Sequence, residues 1–205
     1  MKTKSILFFL LLGATMFAFT NCGGKKGEGH EHGEGGHTHE EEATATAAEA
    51  GEPQFTVDAA FQNQLAGVFT AYVSLKEAFV ASDAAKVKAE AAATQSALAK
   101  ADMKLLSGVA HNDWMTYLGS MESALKEIQS ATDIEAQRKS FSTLSNDFYK
   151  SIKAFGLGGT TAYYEFCPMA FNNEGAFWLS EAEQIRNPYF GDQMLTCGSV
   201  KEKLK

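Results

Sequence analysis

Beyond its first two dozen residues this chain has no apolar run long enough to cross a bilayer. It also lacks a basic patch: 25 acidic residues stand against 18 lysines and arginines, for a formal net charge of −7. That balance excludes nucleic acid as a partner class. A phosphate-cradling loop is missing, because Gly156-Leu157-Gly158-Gly159 is followed by no Gly-Lys-Ser/Thr and reads as a helix stop. Paired carboxylates in a catalytic setting are missing too, since Glu181 and Glu183 read as solvated surface. These absences argue against an enzyme. Cysteine is scarce, with only Cys22, Cys167 and Cys197 in 205 residues.

What is present begins with an export signal. Lys2 and Lys4 precede an apolar run from Ile6 to Phe19, and Asn21-Cys22-Gly23-Gly24 follows at once. A run this short, flanked in this way, reads as a signal peptide rather than a membrane span. The cysteine after the run resembles a bacterial lipoprotein cleavage site, with residues 1–22 as the signal and Cys22 as the lipid-bearing first residue. Phe19 and Asn21 depart from the usual Leu and small residue there, and an ordinary secretory signal is the alternative. The expected location is the periplasmic side of a bacterial membrane, held there through the lipid.

Residues 23–54 read as a flexible tether, rich in Gly, Glu, Ala and Thr and without an aromatic residue. Eight glutamates against Lys25 and Lys26 give the segment a local charge of −6. So polar a stretch cannot bury enough apolar surface to offset its lost entropy. It carries His30, His32, His37 and His39, two His-x-His pairs among glutamates. Such tracts collect borderline metals through imidazole, so these four are candidate auxiliary ligands.

Residues 55–205 have the length of one domain. Apolar residues at spacings of three and four mark a helix through Phe61, Leu65, Val68, Phe69, Tyr72 and Phe79, capped by Thr56 or Asp58. Ser82-Asp83 opens an alanine-rich second helix running to about Leu106. A third includes His111, Trp114, Met121 and Ile128. Thr132-Asp133 caps a fourth through Phe141, Phe148 and Phe155. Short loops between them predict an all-α fold: an up-down antiparallel four-helix bundle with an irregular aromatic C-terminal tail packed on it. Within the tail, Tyr163 to Cys167 reads as extended, Asn172 to Gly175 as a turn, and Asp192 to Leu204 as a short helix. Met103, Met115 and Met121 read as core filler.

The tail also carries the chemistry. Cys167-Pro168-Met169 is answered by Met194-Leu195-Thr196-Cys197. Residues two apart on an extended chain share a side, and residues three apart share a face of a helical turn. Thiolate and thioether ligands select Cu(I) and similar ions. Cys167, Met169, Met194 and Cys197 are therefore candidate copper ligands, with His111, one helical turn before Met115, as a possible nitrogen donor. The competing reading is a Cys167–Cys197 disulfide that pins the tail to the bundle as a structural or interaction module; an even pair of cysteines in an exported chain suggests it. A third reading makes Cys167 a nucleophile with His111 as its base, but no orienting motif accompanies them.

The longer pattern Tyr163-x-x-Phe166-Cys167-Pro168-Met169-Ala170, then Gly175-Ala176-x-Trp178-Leu179-Ser180, then Asn187-Pro188-Tyr189-Phe190-Gly191-x-x-Met194-Leu195-x-Cys197-Gly198, resembles an uncharacterised periplasmic domain of unknown function from Gram-negative bacteria. The resemblance covers about Val57 to Val200. Members occur alone as lipoproteins and fused to adaptor subunits of copper/silver efflux pumps. The resemblance implies copper as the cargo and an efflux system as the partner. The Cys-Pro-Met also resembles short heavy-metal modules with Tyr-x-Cys-Pro-Met-His-Pro, where Ala170 stands here in place of the histidine.

Overall fold

A computed structural model describes residues 48–205. Four long helices form its centre: α1 (Ala59–Val80), α2 (Ala84–Leu98), α3 (Gly108–Ser130) and α4 (Ile134–Phe155). Three open on an aspartate. The Asp58 carboxylate accepts from Ala60 N–H, Asp83 from Ala85 and Lys86, and Asp133 from Ala136, which satisfies amides that the first helical turn leaves bare. Gly156, at φ 75°, ends α4 where the glycine run predicts a stop.

Aromatic contacts fix the pairing of α1 with α4. Phe61 meets Phe155 at 5.3 Å between ring centroids, and Phe79 meets Phe141 at 4.5 Å. The start of α1 thus lies on the end of α4 and the reverse, so the two run antiparallel. Trp114, near the start of α3, packs edge-on against Phe61 and Phe155. Helix α3 packs on α2 and α4.

The fold is not all-α. A four-stranded mixed sheet is built from β1 (Ala48–Glu49), β2 (Ala162–Cys167), β3 (Ala176–Ser180) and β4 (Ser199–Leu204), in the order β1-β4-β2-β3. Strand β2 is antiparallel to β3 and β4, and β1 is parallel to β4. The aromatic tail is therefore a sheet rather than irregular chain, and β3 packs on α4 and α1. The expected helix over Asp192–Leu204 is replaced by a 3-10 turn at Gly191–Gln193 and by β4. Lys201 and Lys203 explain the difference: their ammonium groups stand 5.6 and 6.0 Å from the Phe166 and Tyr163 ring centroids, so charged residues here cover a sheet face. Helix α2 stops at Leu98, short of Leu106. Asp102 ends that stretch by capping a 3-10 turn at Met103–Leu105, while its own N–H donates to Gln64 at 2.8 Å.

Tyr72 ties the two layers together. Its hydroxyl donates to Ser145 Oγ at 2.6 Å and accepts the Leu179 N–H of β3 at 3.2 Å, and the Ser145 hydroxyl donates onward to Phe141 O at 2.8 Å. Arg186 adds a two-pronged clasp on Glu77, with Nε and Nη2 at 3.1 and 2.8 Å from Oε2.

Candidate functional site

Strand β2 delivers Cys167 at its last position, buried and opposite Ala176. The chain then turns through Pro168, Met169 and a four-residue turn, α5 (Ala170–Asn173), in which Phe171, Asn172 and Asn173 take left-handed φ values of 51, 58 and 71°. Gly175 follows at φ 82°. A Cβ there would stand 2.4 Å from the Phe166 ring, so glycine alone fits.

Cys197 arrives from the other side. Its N–H donates to Met194 O at 3.0 Å, closing a tight turn. The buried Asn187 clasps that turn: its Nδ2 donates to Cys197 O at 2.8 Å, its backbone N–H donates to Leu195 O at 2.9 Å, and its Oδ1 accepts from Tyr189 N–H at 2.8 Å. The two cysteines, thirty positions apart, end with their Sγ atoms 3.0 Å apart and unbonded. Cys167 is buried and Cys197 half-buried. Contact with the Cys167 thiol, aided by burial, pushes the Cys197 thiol up to about 11.

Met169 and Met194 converge as well, in a different place. They are 44 % and 36 % exposed. Both line an open cavity of about 430 Å3 together with Phe171, Tyr189, Phe190 and the Glu135 of α4. Neither cysteine lines it. Glu135 is fixed by the Arg138 guanidinium at 2.5 Å; Arg138 also donates to Pro188 O at 3.0 Å and to Ser82 Oγ at 2.9 Å. The two thiols thus meet each other and the two thioethers share a cavity wall, instead of the two Cys–Met couples adjacent in sequence.

His111 belongs to neither. It lies on the first turn of α3, one turn before Trp114, which packs on Phe155 at the end of α4. The sulfur cavity adjoins Glu135 at the start of α4. The 20 positions between Glu135 and Phe155 correspond to roughly 30 Å of helix, so His111 lies toward the far end of α4 from the thioether cavity. Met121 is buried as expected, but Met103 and Met115 are 42 % and 41 % exposed and are not core filler. Among the described residues no group of three or more His, Cys, Asp or Glu is placed to hold a metal ion, and no helix is long and apolar enough to cross a membrane. Cys22, His30, His32, His37 and His39 lie outside the described residues.

Sequence reasoning missed Glu165. It lies two residues before Cys167, directly opposite Trp178, and is fully buried. A shift in register against β4 between Tyr164 and Glu165 lets both residues turn inward in succession. Neither carboxylate oxygen, nor the Trp178 indole N–H, has a hydrogen-bond partner among the described residues. Burial pushes Glu165 up to about 8, against the opposing pull of the Lys76 ammonium. Lys76 is itself buried, and its charge is spent on Glu77 and Glu181, each at 2.9 Å. The only signal in the sequence was one acid among the apolar residues of an expected strand.

A family model described as a protein of unknown function (DUF3347) matches residues 68–160. The match runs from the middle of α1 through the end of α4, covers under half of the chain, and stops before the tail motif. No curated protein and no solved structure matches the chain.

Proposed function

We propose that this chain is an exported soft-metal-binding lipoprotein whose cargo is copper, held as Cu(I) for sequestration or for delivery to an efflux system. The observation that carries the reading is the convergence of two unbonded thiols, one buried and one reachable, at 3.0 Å. Two sulfurs each about 2.3 Å from a shared ion lie about 3.8 Å apart at a tetrahedral angle and about 4.6 Å apart in a linear pair. The Cys167–Cys197 pair, at 3.0 Å, reaches those separations by opening about 1–1.6 Å. Thiolates of this kind prefer soft ions over Mg(II) or Ca(II), which take oxygen. The signal-like N-terminus supports export, and Cys22 is the residue that would carry the lipid on the periplasmic side. The histidines at 30, 32, 37 and 39 would supply a looser auxiliary site.

One observation favours a second reading. The same 3.0 Å also lies close to the roughly 2 Å of a closed disulfide, so the pair could staple the tail turn to β2 as a structural module. A Cu(I) titration under reducing conditions against a chromophoric chelator separates the two. The wild-type chain is expected to compete for Cu(I), and Cys167→Ser with Cys197→Ser to lose that competition. Unchanged affinity in the double variant would refute the thiol site. Zero free thiols in metal-free protein purified without reductant, together with no Cu(I) uptake after reduction, would favour the staple.

A further inference from the structure

We propose that Met169 and Met194, with the Glu135 carboxylate that lines the same cavity and is paired with Arg138, form a second, outer site for a soft monovalent cation, open to solvent and separate from the thiol pair. The thioethers come from the two ends of the tail motif, 25 positions apart, yet share one cavity wall with Glu135. Methionine is ordinarily core filler; these two are half-exposed at a cavity whose remaining wall combines the aromatic Phe171, Tyr189 and Phe190 with Ala170, Asn172 and Asn173. A thioether carries no charge and binds soft cations such as Cu(I) and Ag(I) while discriminating against Zn(II) and Mg(II). Glu135 Oε1 is paired with Arg138 Nη1 at 2.5 Å, so the carboxylate offers its second oxygen as a donor to the cation while its charge is shared with the guanidinium. Arg138 is itself anchored on Pro188 O and Ser82 Oγ, which holds the carboxylate in place.

The backbone supports a functional reading of this wall. Phe171, Asn172 and Asn173, which begin two residues after Met169, hold consecutive left-handed conformations. Such backbone is costly for residues with a Cβ and concentrates at ligand-binding segments. The outer site shares only the class of cargo with the thiol reading and does not require the thiols to bind.

Silver(I) nitrate in chloride-free buffer is the probe, since Ag(I) has no competing redox chemistry with the protein. It is titrated into the full chain carrying Cys22→Ser, Cys167→Ser and Cys197→Ser, with methionine methyl groups labelled for NMR. The expected result is that the Met169 and Met194 methyl signals shift together and saturate at one equivalent, while Met103, Met115 and Met121 stay still. Glu135→Gln should weaken the response severalfold, and Met169→Leu with Met194→Leu, a volume-conserving pair of changes, should abolish it. Stationary Met169 and Met194 signals, or shifts no larger than those of the exposed Met103 and Met115, would overturn the proposal; silver captured by the histidines at 30–39 would give that result. If the serine variant does not fold, the reduced wild-type chain gives the same readout after its thiols are saturated. Methyl shifts without Cu(I) capture by the thiols would sink the thiol site alone, and capture without shifts would sink the outer site alone.

Discussion

Glu165 carries an unusual electrostatic load for one residue. An acid whose folded pKa is raised from the usual carboxylate range to about 8 binds its proton more tightly in the native chain than in the unfolded one. Its stabilising contribution is complete below the unfolded value, about 4.3, and is lost as pH rises through about 8. Urea midpoints of the metal-free wild type should therefore fall between pH 5 and pH 8.5, and Glu165→Gln should flatten that fall. An identical pH profile in the variant would show that Glu165 is not the titrating group. One acid among the apolar residues of an expected strand was the only mark of this position, and the local shift in strand register that turns it inward is not legible in the residues. Asn187 was equally hidden, because its value lies in three bonds to a turn that forms only once the chain has folded.

Among the elements, the helices and strand β2 were legible and the rest of the sheet was not. Asp58, Asp83 and Asp133 each mark a helix start by a local rule, and the three-and-four spacing of Phe61, Leu65, Val68 and Phe69 needs no distant partner. Strand β4 follows no such rule. Lys201-Glu202-Lys203 reads as solvated until Phe166 and Tyr163 are known to lie beneath the lysines. The link from β2 to β3 is the element most exposed to a backbone test. Replacing Gly175 with alanine would hold an L residue at φ 82° and press its Cβ to 2.4 Å from the Phe166 ring. The expected cost is about 1–3 kcal/mol, read as a lowered midpoint of chemical unfolding. A midpoint equal to that of the wild type would show that the link relaxes freely.

At the scale of the whole molecule, the bundle is a platform and the tail brings the chemistry. Helix α4 separates His111, toward its end, from the cavity of Met169 and Met194, which Glu135 lines at its start. Tyr72 and Arg186 dock β3 and the segment after it onto α1. The sequence showed four sulfurs in two local pairs. It could not show that they would regroup, since that depends on how residues 25 and 30 positions apart meet after the sheet has formed. The match to the family of unknown function falls on the platform and leaves the regrouped sulfurs outside it.

The central claim is that Cys167 and Cys197 hold copper between them. Copper K-edge X-ray absorption of the reduced full chain with one equivalent of Cu(I) tests it most directly. The account predicts a first shell of sulfur that is lost in Cys167→Ser with Cys197→Ser. A shell of nitrogen and oxygen, unchanged in that variant, would contradict it and assign the metal elsewhere in the chain.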